Sequence, residues 1–241
     1  MSNPQIATGN LARFDRVISQ IWDGATRSTH LSADGLQIRK RIADAAKMYD
    51  WHTVFDILHG RGDLVNSCRP DGRSRYAPLH QAAHGGAPVG VVKQLIAAGA
   101  WRGLREAKGE RPLDIAKRRG HGHLLGVLEP PEKISLPPHV LEMLQDRFHE
   151  VIRSRAGTIV RKHRLRLPEL EVLRELARPQ LWFPVPFMRG GFWFNLEPNG
   201  REPKLISLSW SHDDEGSERR HEITTSGTLE QAFPPDSRDV A

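Results

Sequence analysis

His80 and His84 stand four residues apart on a segment with helical periodicity, which puts both imidazoles on one helix face at the spacing of a two-histidine metal site. Gln81, Ala82 and Ala83 lie between them, so the glutamate that acts as base in a zinc-hydrolase helix is missing, and a site would also need a third ligand and a second shell. The expectation is no metal and no cofactor. A second constellation is Trp210-Ser211-His212-Asp213-Asp214 followed by Arg219-Arg220-His221-Glu222. A hairpin would bring His212 and His221 together, with Ser211, Asp213 or Glu222 as triad-like partners. No nucleophile elbow or phosphate-binding glycine loop accompanies them, and Met188-Arg189-Gly190-Gly191-Phe192 leads into a strand where a nucleotide fingerprint must open a helix. A non-enzymatic chain with no catalytic residues is the expectation.

Positive charge is the third chemical resource. Arg153, Arg155, Arg161, Lys162, Arg164 and Arg166 fall within a short strip around His163 and could neutralise several phosphates. The strip has no aromatic residue for base stacking, so a solvated linker, or pairing with Asp213-Asp214-Glu215 of the same chain, is preferred to nucleic-acid binding. Of the 35 basic residues 27 are Arg, which fits either bidentate contacts to carboxylate and phosphate or a GC-rich bacterial coding bias. Residues 38–130 carry a formal charge of +7 and residues 179–241 a charge of −4, within a total of +6. An acidic partner meeting the middle of the chain, or attraction between the two halves, would follow.

The middle of the chain has to position these groups. Tyr76-Ala77-Pro78-Leu79-His80-Gln81-Ala82-Ala83 leads to Gly99-Ala100, and Arg111-Pro112-Leu113-Asp114-Ile115-Ala116 repeats its grammar with Pro112 34 positions after Pro78. A fainter copy is Ile42-Ala43-Asp44-Ala45-Ala46, with Gly62-Asp63-Leu64-Val65-Asn66 as its exit turn. These segments resemble the ankyrin-repeat family, whose units open on Thr-Pro-Leu-His-x-Ala-Ala. The resemblance spans about residues 36–129. It implies an α-class solenoid of about three repeats, each burying its apolar face on the next, and a concave surface that binds another protein. It also implies that His80 ties neighbouring units through its ring nitrogens, and that finger tips and first-helix positions meet the partner. Here those are Lys47, Arg73, Arg75, Tyr76, Gln81, His84, Arg105 and Lys108. Pro70-Asp71-Gly72 places a tight turn at the tip of a long basic loop expected to project.

The flanks complete the expected organisation. Leu11, Phe14, Val17, Ile18, Ile21 and Trp22 predict an amphipathic helix within a cap over residues 1–35. After the prolines at 130, 131, 137 and 138, Val140, Leu141, Leu144, Phe148, Val151 and Ile152 predict a long helix, and Pro168 opens a shorter one burying Leu170, Leu173 and Leu176. From Trp182 the pattern turns to β: Phe192, Phe194 and Leu196 alternate with polar or exposed positions, Ile206, Leu208 and Trp210 alternate with Leu205, Ser207 and Ser209, and a further strand is expected at 219–225. Residues 130–233 therefore read as a small α+β domain with an antiparallel sheet, and 234–241 as a disordered tail. With one cysteine, no leader-like N-terminus and no membrane-length apolar run, a cytoplasmic protein is expected. The function expected is an adaptor or inhibitor that binds an acidic or mixed protein surface; nucleic-acid association is the alternative and an unrecognised C-terminal enzyme the third.

Overall fold

The computed structural model describes residues 20–199, 202–211 and 218–232. Helices come first in the chain and strands last. Helix α1 (Ala33–Lys47) starts where the Ser32 hydroxyl accepts the Gly35 N–H, and α2 (Trp51–Gly60) where the Asp50 carboxylate accepts that of Thr53. Proline opens α3 (Pro78–Gly85) and α5 (Pro112–Arg119), and left-handed Gly86 and Gly120 end them. Helix α4 (Val89–Ala97) returns along α3, whereas α6 (Leu125–Leu128) is a single turn. These helices share one apolar cluster, in which Ile42, Val54, Leu64, Leu79, Leu95, Leu113, Ile115 and Leu124 are almost wholly buried.

The second half is one long helix laid on a sheet. Helix α7 (Pro138–His163) runs past the expected apolar stripe, with non-helical backbone at Ala156. Strands β1 (Gln180–Val185), β2 (Gly190–Glu197), β3 (Lys204–Ser211), β4 (Arg219–Thr224) and β5 (Thr228–Ala232) form an antiparallel meander in the order β1-β2-β3-β4-β5. Phe183 faces Phe192 and Leu181 faces Phe194 across the first pair, and Phe148 of α7 packs on both Phe192 and Phe194. Leu205, Ser207 and Ser209 share this covered face, so Ile206 and Trp210 lie on the other, where Trp210 stacks on Trp182 at 4.5 Å. No helix of the described residues is long and apolar enough to cross a membrane.

The expected fold class needs correction. The chain is a mixed helix-and-sheet protein, and a three-repeat ankyrin solenoid with an appended small domain is not what the described residues build. The reason lies in the segments between helix pairs. Neither 66–77 nor 98–111 forms a strand, and Ala77, Trp101 and Leu104 from them are buried in the same cluster as α7 and the sheet. Trp101 stacks on Trp22 at 5.6 Å, and Glu175 accepts the Gly103 N–H at 2.9 Å while pairing with Arg102. The links thus anchor the helices to the sheet half. Glycines at 122 and 126 also leave the third pair with a 3₁₀ turn and one α turn in place of a second helix.

Smaller expectations change for related reasons. The capping helix over 10–22 lies outside the described residues up to 19, and Ile21 bridges Trp182 in parallel β fashion. The expected second helix from Pro168 is a 3₁₀ segment, Leu170–Glu175, whose first N–H is taken by the Gln145 side chain. The 67–75 loop does not project: Cys68 and Pro70 are buried, and Asp71 bonds backbone to Thr26 and side chain to Ser28. The tail 234–241 lies outside the described residues.

His80 shows how the helices and links depend on each other. Its Nδ1 accepts the Ala77 N–H at 3.2 Å and its Nε2 donates to the Leu104 carbonyl at 3.0 Å, which fixes the neutral tautomer inside a dry site. Burial, with Arg166 nearby, pushes the ring down from 6.5 to about 3. The folded value lies below the unfolded one, so the neutral ring's contribution is complete above pH 6.5 and is lost as pH falls toward 3. His80→Gln keeps an acceptor and a donor but cannot titrate. Urea unfolding at about pH 7.5 and about pH 4.5 is expected to show wild type losing on the order of 2–3 kcal/mol more than the variant. Equal losses would mean the ring is not held neutral.

Candidate functional site

The α1/α2 and α3/α4 hairpins leave their turns and first-helix faces on one side, and the 66–77 link crosses that side. Two grooves result. One, of about 660 Å³, is lined by Lys47, Tyr49, Arg69, Arg73, Tyr76, Gln81 and His84. The other, of about 680 Å³, is lined by Arg73, Tyr76, His84, Glu106, Lys108, Glu110 and Arg118. They are contiguous because Arg73, Ser74, Tyr76 and His84 line both.

An aromatic ladder forms their floor. Tyr76 lies over His80 at 5.6 Å and meets His84 edge-on at 6.0 Å, and the Tyr49 hydroxyl is 3.2 Å from His84 Nδ1. Tyr49 reaches His84 because its ring lies over Gly85, where a Cβ would come within 2.3 Å of it. Burial, followed by the charges of Arg119 and Arg118 and by His121, holds the His84 ring below its usual 6.5, so its neutral Nδ1 accepts from Tyr49 at neutral pH. Around this floor, Arg118 is neutralised by Glu110 and Arg69 by Asp44. Lys47, Arg73 and Lys108 form no side-chain ion pair or hydrogen bond among the described residues.

The sequence candidates therefore separate. Lys47, Arg73, Tyr76, Gln81, His84 and Lys108 meet in the joined grooves. Arg105 does not: its guanidinium donates to the Gly109 carbonyl at 2.8 Å, and it lines a separate crevice with Glu142 and Glu169. Arg75 turns to the far side of the link, into a crease of about 560 Å³ shared with Arg27, Arg164 and Arg166. Sequence reasoning missed Tyr49 and Arg118, since neither lies in a motif and their places in the grooves depend on neighbours far away in the chain.

The arginine strip does not form one track. Arg153, Arg161, Lys162 and Arg164 are exposed, Arg155 is partly covered with its Nε buried, and Arg166 is buried against Glu169 and over the Trp22 ring at 5.2 Å. The triad-like candidates fare similarly. His212, Asp213 and Asp214 lie outside the described residues, and Ser211 donates to the Met188 carbonyl at 2.7 Å. His221 faces α7, whereas Glu222 pairs with Lys204 and Arg220 on the opposite face. His221 does fall in a cross-strand row with Ser207 and Glu230, the latter 3.5 Å from Nε2. Ser207 is wholly buried and its hydroxyl makes no hydrogen bond among the described residues, so a substrate has no path to it. His80 cannot join His84 on a metal because both its ring nitrogens are committed to backbone.

Comparison with models of known protein families finds none that matches this chain.

Gly85 gives a test of the ladder without loss of charge. Gly85→Ala puts a methyl into the Tyr49 ring, which is 43% exposed at residue level and can swing outward. Stability measured by thermal melting is expected to change by less than about 1 kcal/mol, as for other partly exposed sites. Ring-proton NMR contacts between Tyr49 and His84 are expected to vanish. Their persistence would show that the glycine does not seat the tyrosine.

Proposed function

We propose that this chain is a non-enzymatic protein-binding module, an adaptor or inhibitor, that receives an acidic or mixed segment of a partner in the joined grooves. The observation that carries the reading is the placement of three cations without an ion pair among the described residues, Lys47, Arg73 and Lys108, around the Tyr49–His84–Tyr76 ladder. Aromatic rings with polar tips bury a large area at low entropic cost, and flanking charges steer and orient an acidic partner. The resemblance of Tyr76–Ala83 to the opening of an ankyrin repeat supports binding over catalysis as the role of this surface. The nucleic-acid alternative is weaker because the strip from Arg153 to Arg166 is divided between solvent and the interior. A single cysteine, buried and held up to about 11 by desolvation, suits a reducing cytosol as the working compartment.

The reading is tested by affinity purification of the tagged chain from nuclease-treated native lysate, comparing wild type with a Lys47→Ala/Tyr76→Ala/His84→Ala variant. A protein retained in stoichiometric amount by wild type is expected to bind the variant at least about tenfold more weakly, or about 1.4 kcal/mol, and to be released by rising salt. Equal retention by both would remove the grooves from consideration. Nucleic acid retained when nuclease is omitted, with no protein otherwise, would favour the alternative.

A further inference from the structure

The crease on the far side of the 66–77 link joins residues that the sequence places almost 90 positions apart, Arg73 and Arg75 from the link and Arg164 after α7. Its other charges are compensated. Arg27 pairs with Asp71 at 3.5 Å, the Asp71 carboxylate also accepts the Ser28 N–H at 3.3 Å, and Arg166 pairs with Glu169. Arg73, Arg75 and Arg164 have no ion-pair or hydrogen-bond partner for their guanidinium groups among the described residues, so three positive forks face one space of about 560 Å³. Like charges brought together without a counter-charge repel, and a fold that keeps them so leaves a place for an anion.

The backbone at these positions is also costly. Six residues other than glycine have positive φ among the described residues, and three of them, Asp71 (61°), Arg75 (54°) and Arg164 (49°), line this crease. Left-handed backbone is disfavoured for any residue with a Cβ, and a long basic side chain has no local hydrogen bond to offset it. The surroundings hold it in place: Ser74 carbonyl accepts the Ala107 N–H at 2.9 Å beside Arg75, and Thr26 Oγ1 donates to the Arg164 carbonyl at 2.5 Å. Glycine would fit both positions without strain, yet arginine occupies both. At Arg164 the left-handed residue also ends α7, with the Leu165 N–H on the Val160 carbonyl, as helices commonly end, whereas at Arg75 no helix end accounts for it and the strain is aimed into the crease.

We propose that the crease is a binding site for a phosphate monoester dianion, presented on a phosphorylated serine or threonine side chain of the partner segment that occupies the neighbouring groove. Planar guanidinium forks match the oxygens of a phosphate in pairs, and three of them suit a dianion better than the single charge of a carboxylate. Arg73 lines both the crease and the joined grooves, so a peptide lying past Tyr76 delivers a side chain over the link. Among the described residues the crease has only Leu165 as an apolar wall and no aromatic residue, so it offers nothing for a base to stack on, which favours a phosphorylated side chain over a nucleotide. This inference rests on the groove being a protein-binding surface.

The test uses the full chain and two variants, Arg75→Gly/Arg164→Gly and Tyr76→Ala, titrated calorimetrically with O-phosphoserine, serine, inorganic phosphate, ATP and single-stranded RNA. Wild type and Tyr76→Ala are expected to bind O-phosphoserine and not serine. The double glycine variant, which relieves both left-handed positions and so melts no lower than wild type, is expected to lose at least about tenfold in affinity. Absence of O-phosphoserine binding to wild type, or binding unchanged in the glycine variant, overturns the inference. A partner captured through Tyr76 would in that case leave the groove reading standing. Tighter binding of ATP, RNA or free phosphate than of O-phosphoserine overturns the assignment to a phosphorylated side chain.

Discussion

The contact between Trp22 and Trp101 is the interaction on which the two halves of the molecule depend. The rings stack nearly parallel, 9° apart, and the Arg166 guanidinium lies over the Trp22 ring. Each polar edge is satisfied as well: Trp22 Nε1 donates to the Arg166 carbonyl at 2.9 Å and Trp101 Nε1 to the Gln20 side chain at 3.1 Å. Asn66 adds a second brace, accepting the Trp101 N–H and donating to the Gly99 carbonyl, each at 2.9 Å. Aromatic stacking and a partly desolvated cation–π contact contribute about 1–3 kcal/mol together beyond area burial. More important is where the contact sits. Trp101 comes from a link between helix pairs, Trp22 from the edge of the sheet and Arg166 from the exit of α7, so one cluster fixes three segments that share no secondary structure.

Because the links are buried on this side, their other side is presented to solvent in a defined shape. The 66–77 link passes between the two halves with Ala77 in the sheet-side core, Tyr76 over the groove and Arg75 in the crease. Successive residues thus serve three different environments, which extended backbone alone does not allow. The left-handed turn at Arg75 redirects the chain so that the arginine and the tyrosine diverge. A free, projecting loop would not hold such a conformation; a link pinned through Cys68, Pro70, Asp71 and Ala77 does.

Local pattern was legible in the sequence and long-range combination was not. The α7 stripe, the alternation around Phe192 and Phe194, and the proline starts of α3 and α5 are encoded within a few residues by period and by backbone preference. The fold class failed because Trp101 and Leu104 look the same in sequence whether they seal a repeat or enter a neighbouring core. Strand β3 shows the same limit. Its five buried positions include Ser207 and Ser209, which polarity alone would put on the open side, because α7 and its neighbouring phenylalanines need small residues opposite. Tyr49 was invisible for a third reason: its role depends on Gly85, 36 residues away, leaving room for a ring.

The basic residues were the hardest to read, because identical side chains do opposite jobs. Arg166 and Arg164 are two positions apart in one strip, yet the first is buried in an ion pair with Glu169 and the second faces an open crease. Sequence proximity grouped Arg164 with Arg153 and Arg161; the fold groups it with Arg73 and Arg75. Charge counts describe the field of a whole segment, but recognition depends on which cations lack a counter-charge after folding. In this molecule the compensated arginines, Arg102, Arg111, Arg118, Arg166 and Arg174, brace structure against acidic side chains. Three of those without an ion-pair partner among the described residues, Arg73, Arg75 and Arg164, meet at the single link that separates groove from crease. A coding bias toward arginine would spread both kinds without regard to position, whereas two uncompensated arginines at left-handed backbone sites in one cavity require the scaffold to hold them there.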